Sequence, residues 1–443
     1  MAREQWGTKL GFMLAAMGSA VGLGNIWRFS FVAGNNGGGA FLLLYLGCVF
    51  LIGIPLLLTE VSIGRKAKSD VVGSYQKLAP KTPWFFTGFF GIFSAFLILS
   101  FYAVVAGWSL YYFFNYVTGN FFEAPAEAGF GAVFGGFISQ GWQPLFWTAL
   151  FMAMVIFIVV SGVKKGIETA NKIFMPLLAL LLIVLAVFSL SLDGAMEGLA
   201  FLFQPDWSAF SQPSIYVQAL GQAFFSLSLG MGALLTYGSY LSDDKKLPGA
   251  AVGIGLMDTF FAVISGLVIF PAVFAFSIDP SSGPPLVFIT LPTIFEQMPL
   301  GGIVGLIFFF ALSLAALSSA ISILEVPTAY FMRLFSWSRK KSSIIVGSIM
   351  FFFGIFVSLG FGIWSDVTPI GEKNILDSMD YIASNILLPL GGLSMALFVG
   401  WYFKKATALK AVDLKDDLMG STWYGIVKFI VPVVILIIFV SSL

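Results

Sequence analysis

Gly18-Ser-Ala-Val-Gly-Leu-Gly-Asn25 lies within the first long apolar run of the chain, and Ser226-Leu-Ser-Leu-Gly-Met-Gly232 lies within the sixth. Glycine costs about 1 kcal/mol per residue in a helix interior relative to alanine, so clusters at mid-membrane depth ask for a reason. Close packing is one, because small residues let transmembrane helices approach one another. Interruption is the other. Paired glycine-broken segments at matching places in two halves of a chain point to a transporter's mid-plane site. Unwound backbone is tolerated there only where it is buried or lines a cavity. Its freed carbonyls can ligate a cation, and half-helix N-termini can hold a carboxylate. An amino-acid zwitterion with sodium fits that chemistry.

The surrounding composition makes lipid the natural solvent. Of 443 residues, 58% are hydrophobic and only 10% charged, with mean hydropathy +0.95, whereas soluble domains carry about 25% charged residues. The balance of 23 Lys+Arg against 22 Asp+Glu argues against nucleic acid as a partner. Histidine is absent and Cys48 is the single cysteine, which removes the usual catalytic base and any disulfide framework. The first apolar stretch has no small-residue cleavage site after it and reads as a mature membrane element.

With about 20 apolar residues needed per crossing, eleven spans are expected: 8–34, 40–63, 87–117, 144–161, 167–191, 214–240, 250–277, 301–332, 343–363, 378–403 and 423–441. Loops 120–142 and 284–299 have room for short helices. Basic clusters fall in alternate loops: Arg3 and Lys9; Arg65 to Lys81; Lys164 to Lys172; Lys245 and Lys246; Arg333 to Lys341; Lys404 to Lys415. The intervening loops carry acids, among them Glu123, Glu127, Asp193, Asp206, Asp279 and Asp366, with Lys373 the basic exception. Lys and Arg resist translocation, so the amino terminus is expected inside and the carboxyl terminus outside.

Three carboxylates, Glu60, Asp258 and Glu325, lie within apolar spans, where a charge costs roughly 3 kcal/mol or more. Glu60 and Glu325 read as braces for loose helix ends. Asp258 reads as functional, because Asn25 and Ser226 offer matching oxygen donors and hard cations prefer oxygen.

Ala20-Val-Gly-Leu-Gly-Asn-Ile-Trp-Arg28-Phe, Asn35-Asn-Gly-Gly-Gly-Ala-Phe, Gly53-Ile-Pro-Leu-Leu-Leu-Thr-Glu60, Ala219-Leu-Gly-Gln-Ala-Phe-Phe-Ser-Leu-Ser-Leu-Gly and Leu317-Ser-Ser-Ala-Ile together resemble the neurotransmitter:sodium symporters. The likeness spans essentially the whole chain, and the eleven-span form is similar to bacterial members. It implies an all-α integral membrane protein with spans 1–5 (8–191) and 6–10 (214–403) as an inverted repeat, helices 1 and 6 broken, and 423–441 added. It further implies sodium-coupled import of a hydrophobic amino acid across a bacterial cytoplasmic membrane by alternating access.

The resemblance also implies a residue map. The first sodium site comprises the Ala20 carbonyl with the side chains of Asn25, Ser226 and Asp258, beside the substrate carboxylate. The second comprises carbonyls of Gly18, Val21 and Ala315 with hydroxyls of Ser318 and Ser319. Animal relatives place chloride near the Asp258 position; a carboxylate there, beside Tyr45, implies that no chloride is needed. Ala20, Gly22, Gly24 and the Tyr102 hydroxyl would hold the zwitterion, with Ser319 nearby. Phe225 and Ser228 line the second break, and Ile98, Met231 and Ile323 would enclose the side chain. Those three equally suit ordinary core packing. Methionine adapts to several shapes, so the pocket implies broad hydrophobic specificity, aliphatic and aromatic.

Arg28 and Asp380 resemble the outer gate, and Arg3, Trp6, Ser239 and Tyr240 the inner one. The family's acidic partner for the inner arginine aligns with Arg333, so either another acid substitutes or the gate closes differently. In span 5, Gly166 and Pro176 bracket a segment that proline weakens. Its readings are a static kink or local unwinding that admits water to the second sodium site.

Other classes are a cation channel, a proton-coupled carrier using Asp258, an intramembrane enzyme and a non-transporting receptor. No pore-loop filter and no Ser/His or metal-ligand cluster supports the channel or the enzyme. Sodium dependence at fixed pH separates the proton-coupled reading, and substrate accumulation the receptor.

Overall fold

The computed structural model describes residues 4–122, 129–244, 246–277 and 284–441. Arg3, Glu123, Glu127, Lys245 and Asp279 lie outside the described residues. Helix dominates throughout, and no strand occurs among the described residues.

Among the described residues, nine helices are individually long and apolar enough to cross a bilayer: Gly39–Ala67, Phe85–Val117, Gln143–Val160, Val163–Leu190, Pro248–Ala275, Gly301–Phe335, Arg339–Leu359, Ile375–Tyr402 and Leu418–Ile437. They are spans 2–5 and 7–11. Span 1 adds a bent pair, Lys9–Ala20 and Gly24–Asn35, with an angle of 44° between its halves. Span 6 is also two pieces, Pro213–Ser226 and Ala233–Gly238. The expected eleven are thus present, with edges moved by a few residues. Loop helices at Gly129–Ile138 and Thr290–Gln297 occupy the two long loops.

The outer surface is inverted relative to a soluble protein. Phe93, Phe157 and Val187 are more than 60% exposed, an apolar girdle that only lipid satisfies. The protein is therefore a multi-pass membrane protein. Buried polar groups converge inside, around spans 1, 6 and 8, with spans 3 and 8 packed along one another as the central support.

Local chemistry explains both breaks. Thr8 caps span 1 by accepting from the Gly11 amide, and the helix runs to Ala20. Val21 then turns extended, with φ −82° and ψ 109°, and helix resumes at Gly24 as a wide π turn. In span 6, Ser228, Gly230 and Gly232 all have positive φ (53°, 79° and 79°). A positive φ at a serine is uncommon and is held only by its surroundings. Here the Ser228 hydroxyl donates to the Ser19 carbonyl at 2.7 Å, tying one break to the other.

Glu60 serves this geometry as a brace. It accepts from the Gly230 amide at 3.2 Å, and the Gly232 and Leu235 amides at the start of the second half-helix face the same carboxylate. Glu325 is instead held by the side chains of Arg339 and Tyr240.

Candidate functional site

The two breaks lie side by side. Between them is a small buried cavity of about 10 Å³, lined by all ten residues expected to meet substrate and by Ser19. The glycines of span 1 are demanded by crowding there. A Cβ on Gly22 would lie 2.2 Å from the Ser319 hydroxyl oxygen, and one on Gly24 would lie 3.0 Å from the Phe225 ring. Backbone rather than side chain therefore faces the cavity from span 1. The Tyr102 hydroxyl accepts from the Leu23 amide at 3.1 Å, at the start of the resumed helix. Ile98, Met231 and Ile323 are buried on the apolar side.

Below Asn25, four elements bring oxygens together. Asp258 Oδ1 accepts from Asn25 Nδ2 at 2.8 Å and from Ser226 Oγ at 2.5 Å, and Asp258 Oδ2 accepts from the Tyr45 hydroxyl at 2.8 Å. All four side chains are fully buried. Every one of those donors is neutral. A cation among these oxygens would offset the desolvation of the carboxylate, and an oxygen cage suits a hard one. The Ala20 carbonyl belongs to the adjoining turn of break 1.

A second oxygen cluster joins spans 1 and 8. Ser318 Oγ lies 3.2 Å from the Val21 carbonyl and 2.9 Å from that of Ala315. Ser319 Oγ lies 3.0 Å from the Gly18 carbonyl and 3.2 Å from that of Val21. A hard cation with bonds near 2.4 Å places neighbouring ligand oxygens roughly 3.4 Å apart in an octahedral shell. The hydroxyls and carbonyls lie at hydrogen-bond separations of 2.9–3.2 Å, slightly shorter than that ligand spacing. All five expected groups belong to it. A Cβ on Gly18 would come within 1.9 Å of Asn171 Oδ1 from span 5, so a larger residue would displace that buried side chain.

Outside the cavity, Arg28 reaches Asp380 at 3.9 Å, a loose pair. Its firmer partner is Gln222, whose Oε1 accepts from Arg28 Nη1 at 2.8 Å. Gln222 in turn donates to the Gly24 carbonyl at 2.7 Å, and the guanidinium sits 5.1 Å over the Phe225 ring. Gln222 was not among the expected site residues, although it stands inside the quoted Ala219–Gly230 motif. Its signal in the sequence is a polar amide in an apolar span, one turn before the broken segment.

At the amino-terminal end of span 1, the Trp6 indole donates to the Tyr237 carbonyl at 2.9 Å, and its backbone amide to the carbonyl of Tyr240 at 3.3 Å. Ser239 is buried on the same turn and bonds back to the Thr236 carbonyl. Arg333 pairs with Asp70 of the loop after span 2. Span 5 is continuous through its expected weak segment. Gly166 sits in a π turn, Val163–Glu168, where a Cβ would lie 2.1 Å from the Ile158 carbonyl, and Pro176 lies inside the following helix.

The model of the sodium:neurotransmitter symporter family matches residues 3–124 and 139–443. The chain belongs to the sodium:neurotransmitter symporter family. It is 41% identical over 440 residues to YhdH of Bacillus subtilis, an uncharacterized sodium-dependent transporter, covering 99% of this chain and 97% of that one. An uncharacterized sodium-dependent transporter of Haemophilus influenzae is 36% identical over 451 residues, covering 100% and 98%. Among solved structures, that of MhsT in complex with L-phenylalanine superposes with a TM-score of 0.96 at 60% identity, covering all of both chains. Family members and relatives are transporters, not enzymes, and the relatives are named for sodium dependence. The expectation of a symporter with broken helices 1 and 6 is met at this level.

Proposed function

We propose that this symporter imports hydrophobic L-amino acids, aliphatic and aromatic, using two sodium ions and no chloride. The observation that carries the reading is the cavity whose lining is the expected substrate set, flanked by two oxygen clusters. The bound L-phenylalanine of the MhsT structure is consistent with it. The Tyr102 hydroxyl and the break-1 amides take the zwitterion's carboxylate, and Ile98, Met231 and Ile323 take its side chain. One sodium would sit among the Ala20 carbonyl, Asn25, Ser226 and Asp258. The other would sit among Gly18, Val21, Ala315, Ser318 and Ser319. Asp258 supplies the negative charge that a chloride ion otherwise would.

Transport then follows from two gates around one site. Arg28, Gln222 and Asp380 close the outer side, and Trp6 with the Ser239–Tyr240 turn closes the inner side. Spans 1–5 and 6–10 act as the two inverted halves, in a bacterial cytoplasmic membrane with the amino terminus inside. Unwinding between Gly166 and Pro176 would admit water to the second sodium site.

The test is uptake of labelled L-phenylalanine in proteoliposomes with competitors and with chloride replaced by gluconate. Leucine and tryptophan should compete, lysine and glutamate should not, and gluconate should change nothing. Strong inhibition by lysine or glutamate, or a need for chloride, would contradict the pocket or the role of Asp258.

A further inference from the structure

The inner face carries a charge arrangement that neither the motif reading nor the relatives' names assign. Arg339, at the first turn of span 9, makes a two-pronged pair with Glu325 of span 8: Nη1 to Oε2 at 2.5 Å and Nη2 to Oε1 at 2.9 Å. The Tyr240 hydroxyl donates to the same Glu325 Oε1 at 2.5 Å. Glu325 is fully buried and the Arg339 side chain is only 9% exposed, so this pair is a fixed post. Breaking it would strand a buried charge.

Glu4 attaches to that post from the amino-terminal segment. Its Oε1 accepts from Arg339 Nε at 3.0 Å, and its Oε2 from the Val163 amide, the first residue of span 5, at 2.7 Å. The Glu4 side chain is 41% exposed. Immediately downstream, Gly7 and Thr8 donate to Glu168 of span 5 at 2.6 and 3.0 Å. The same short segment therefore plugs the Tyr237–Tyr240 turn through Trp6 and fastens the start of span 5. Arg333, which aligns with the acidic partner of the family's inner arginine, is committed to Asp70.

We infer that the inner gate closes by docking Glu4 onto the Arg339–Glu325 post and onto the span-5 amide, a latch of reversed polarity in which the amino-terminal segment contributes the acid. Electrostatics make the latch releasable. With Glu4 docked, one guanidinium serves two carboxylates; with Glu4 gone, Arg339 and Glu325 still neutralise each other. Departure of Glu4 thus leaves no unpaired buried charge, whereas departure of Arg339 would. Release also removes the partner of the Val163 amide three residues before Gly166. Opening the gate and loosening the start of span 5 become one event.

The inference rests on the alternating-access reading above, so its test monitors that reading separately. In a Cys48→Ala background, spin labels at Gln5→Cys and Lys340→Cys report whether the segment is docked, by pulsed dipolar spectroscopy with sodium and L-phenylalanine present. Sodium-dependent L-phenylalanine binding is measured on the same samples and reports the symporter site itself. Glu4→Gln should raise the ratio of the long-distance to the short-distance population roughly tenfold, equivalent to about 1.4 kcal/mol, the scale of a lost charged hydrogen bond. Arg3→Gln should leave that ratio within about twofold. Sodium-dependent binding should persist in both. An unchanged distribution in Glu4→Gln, or an equal shift in Arg3→Gln, would overturn the assignment of Glu4. Loss of sodium dependence in the unsubstituted background would instead count against the symporter reading.

Discussion

Asp258 accepts hydrogen bonds from Asn25, Ser226 and Tyr45 and from no cationic side chain among the described residues. A cation bound there would be stabilised by the charge, and the charge by the cation. Replacing Asp258 by Asn keeps the size of the group and removes the charge. Sodium affinity should fall at least about tenfold, the scale of a charged interaction of 1.5 kcal/mol or more. Binding of labelled substrate titrated with sodium reads this; an unchanged sodium midpoint would mean that another group carries the charge. Arg28 presents the opposite case. Its contact with Asp380 is loose at 3.9 Å, while Gln222 holds it at 2.8 Å and is itself anchored on the Gly24 carbonyl. Gln222→Leu should therefore weaken outer closure more than Asp380→Asn does, seen as faster release of pre-bound labelled substrate to the outside. Equal release rates would return the gate to the Arg28–Asp380 pair. Asn25, Ser226 and Asp258 were legible as a set because each is a polar side chain in an apolar span. Glu4 and Arg339 were not, since a contact between residues 335 positions apart leaves no local pattern.

At the scale of elements, the two breaks were legible from their glycines, but their causes differ. Span 1 breaks where crowding excludes side chains, whereas span 6 breaks where three residues adopt positive φ. Gly230 combines both conditions, with φ 79° and a Cβ that would lie 2.4 Å from the Leu388 carbonyl oxygen. Gly230→Ala should cost at least about 1–3 kcal/mol, visible as a lowered thermal unfolding midpoint in detergent; an unchanged midpoint would mean that the break relaxes freely. The π turns at Val49–Gly53, Val163–Glu168 and Tyr381–Leu387 were not legible. They change hydrogen-bond register without changing hydropathy, and hydropathy was the signal being read. Span 5 is the element proposed to unwind. Pro176 has no amide to offer the Lys172 carbonyl, so the turn above Gly166 is already weakened while still helical. Pro176→Ala should restore that bond and slow transport while leaving sodium-dependent substrate binding intact. Wild-type transport by Pro176→Ala would reduce the proline to a static kink.

Over the whole molecule, the spans surround a small cavity near the meeting of two half-helices, with polar groups on both sides of it. Hydropathy set the number of spans and charge placement suggested their direction. The arrangement of spans came from packing that neither signal encodes, such as the long contact between spans 3 and 8. A buried cavity between two gates has a function only if the gates open in turn and sodium drives the cycle. Purified protein in proteoliposomes, given labelled L-phenylalanine outside at fixed pH, measures this with and without an inward sodium gradient. The account predicts that phenylalanine accumulates above its external concentration only when sodium is higher outside. Equal accumulation with the sodium gradient replaced by a proton gradient, or none with sodium, would contradict it.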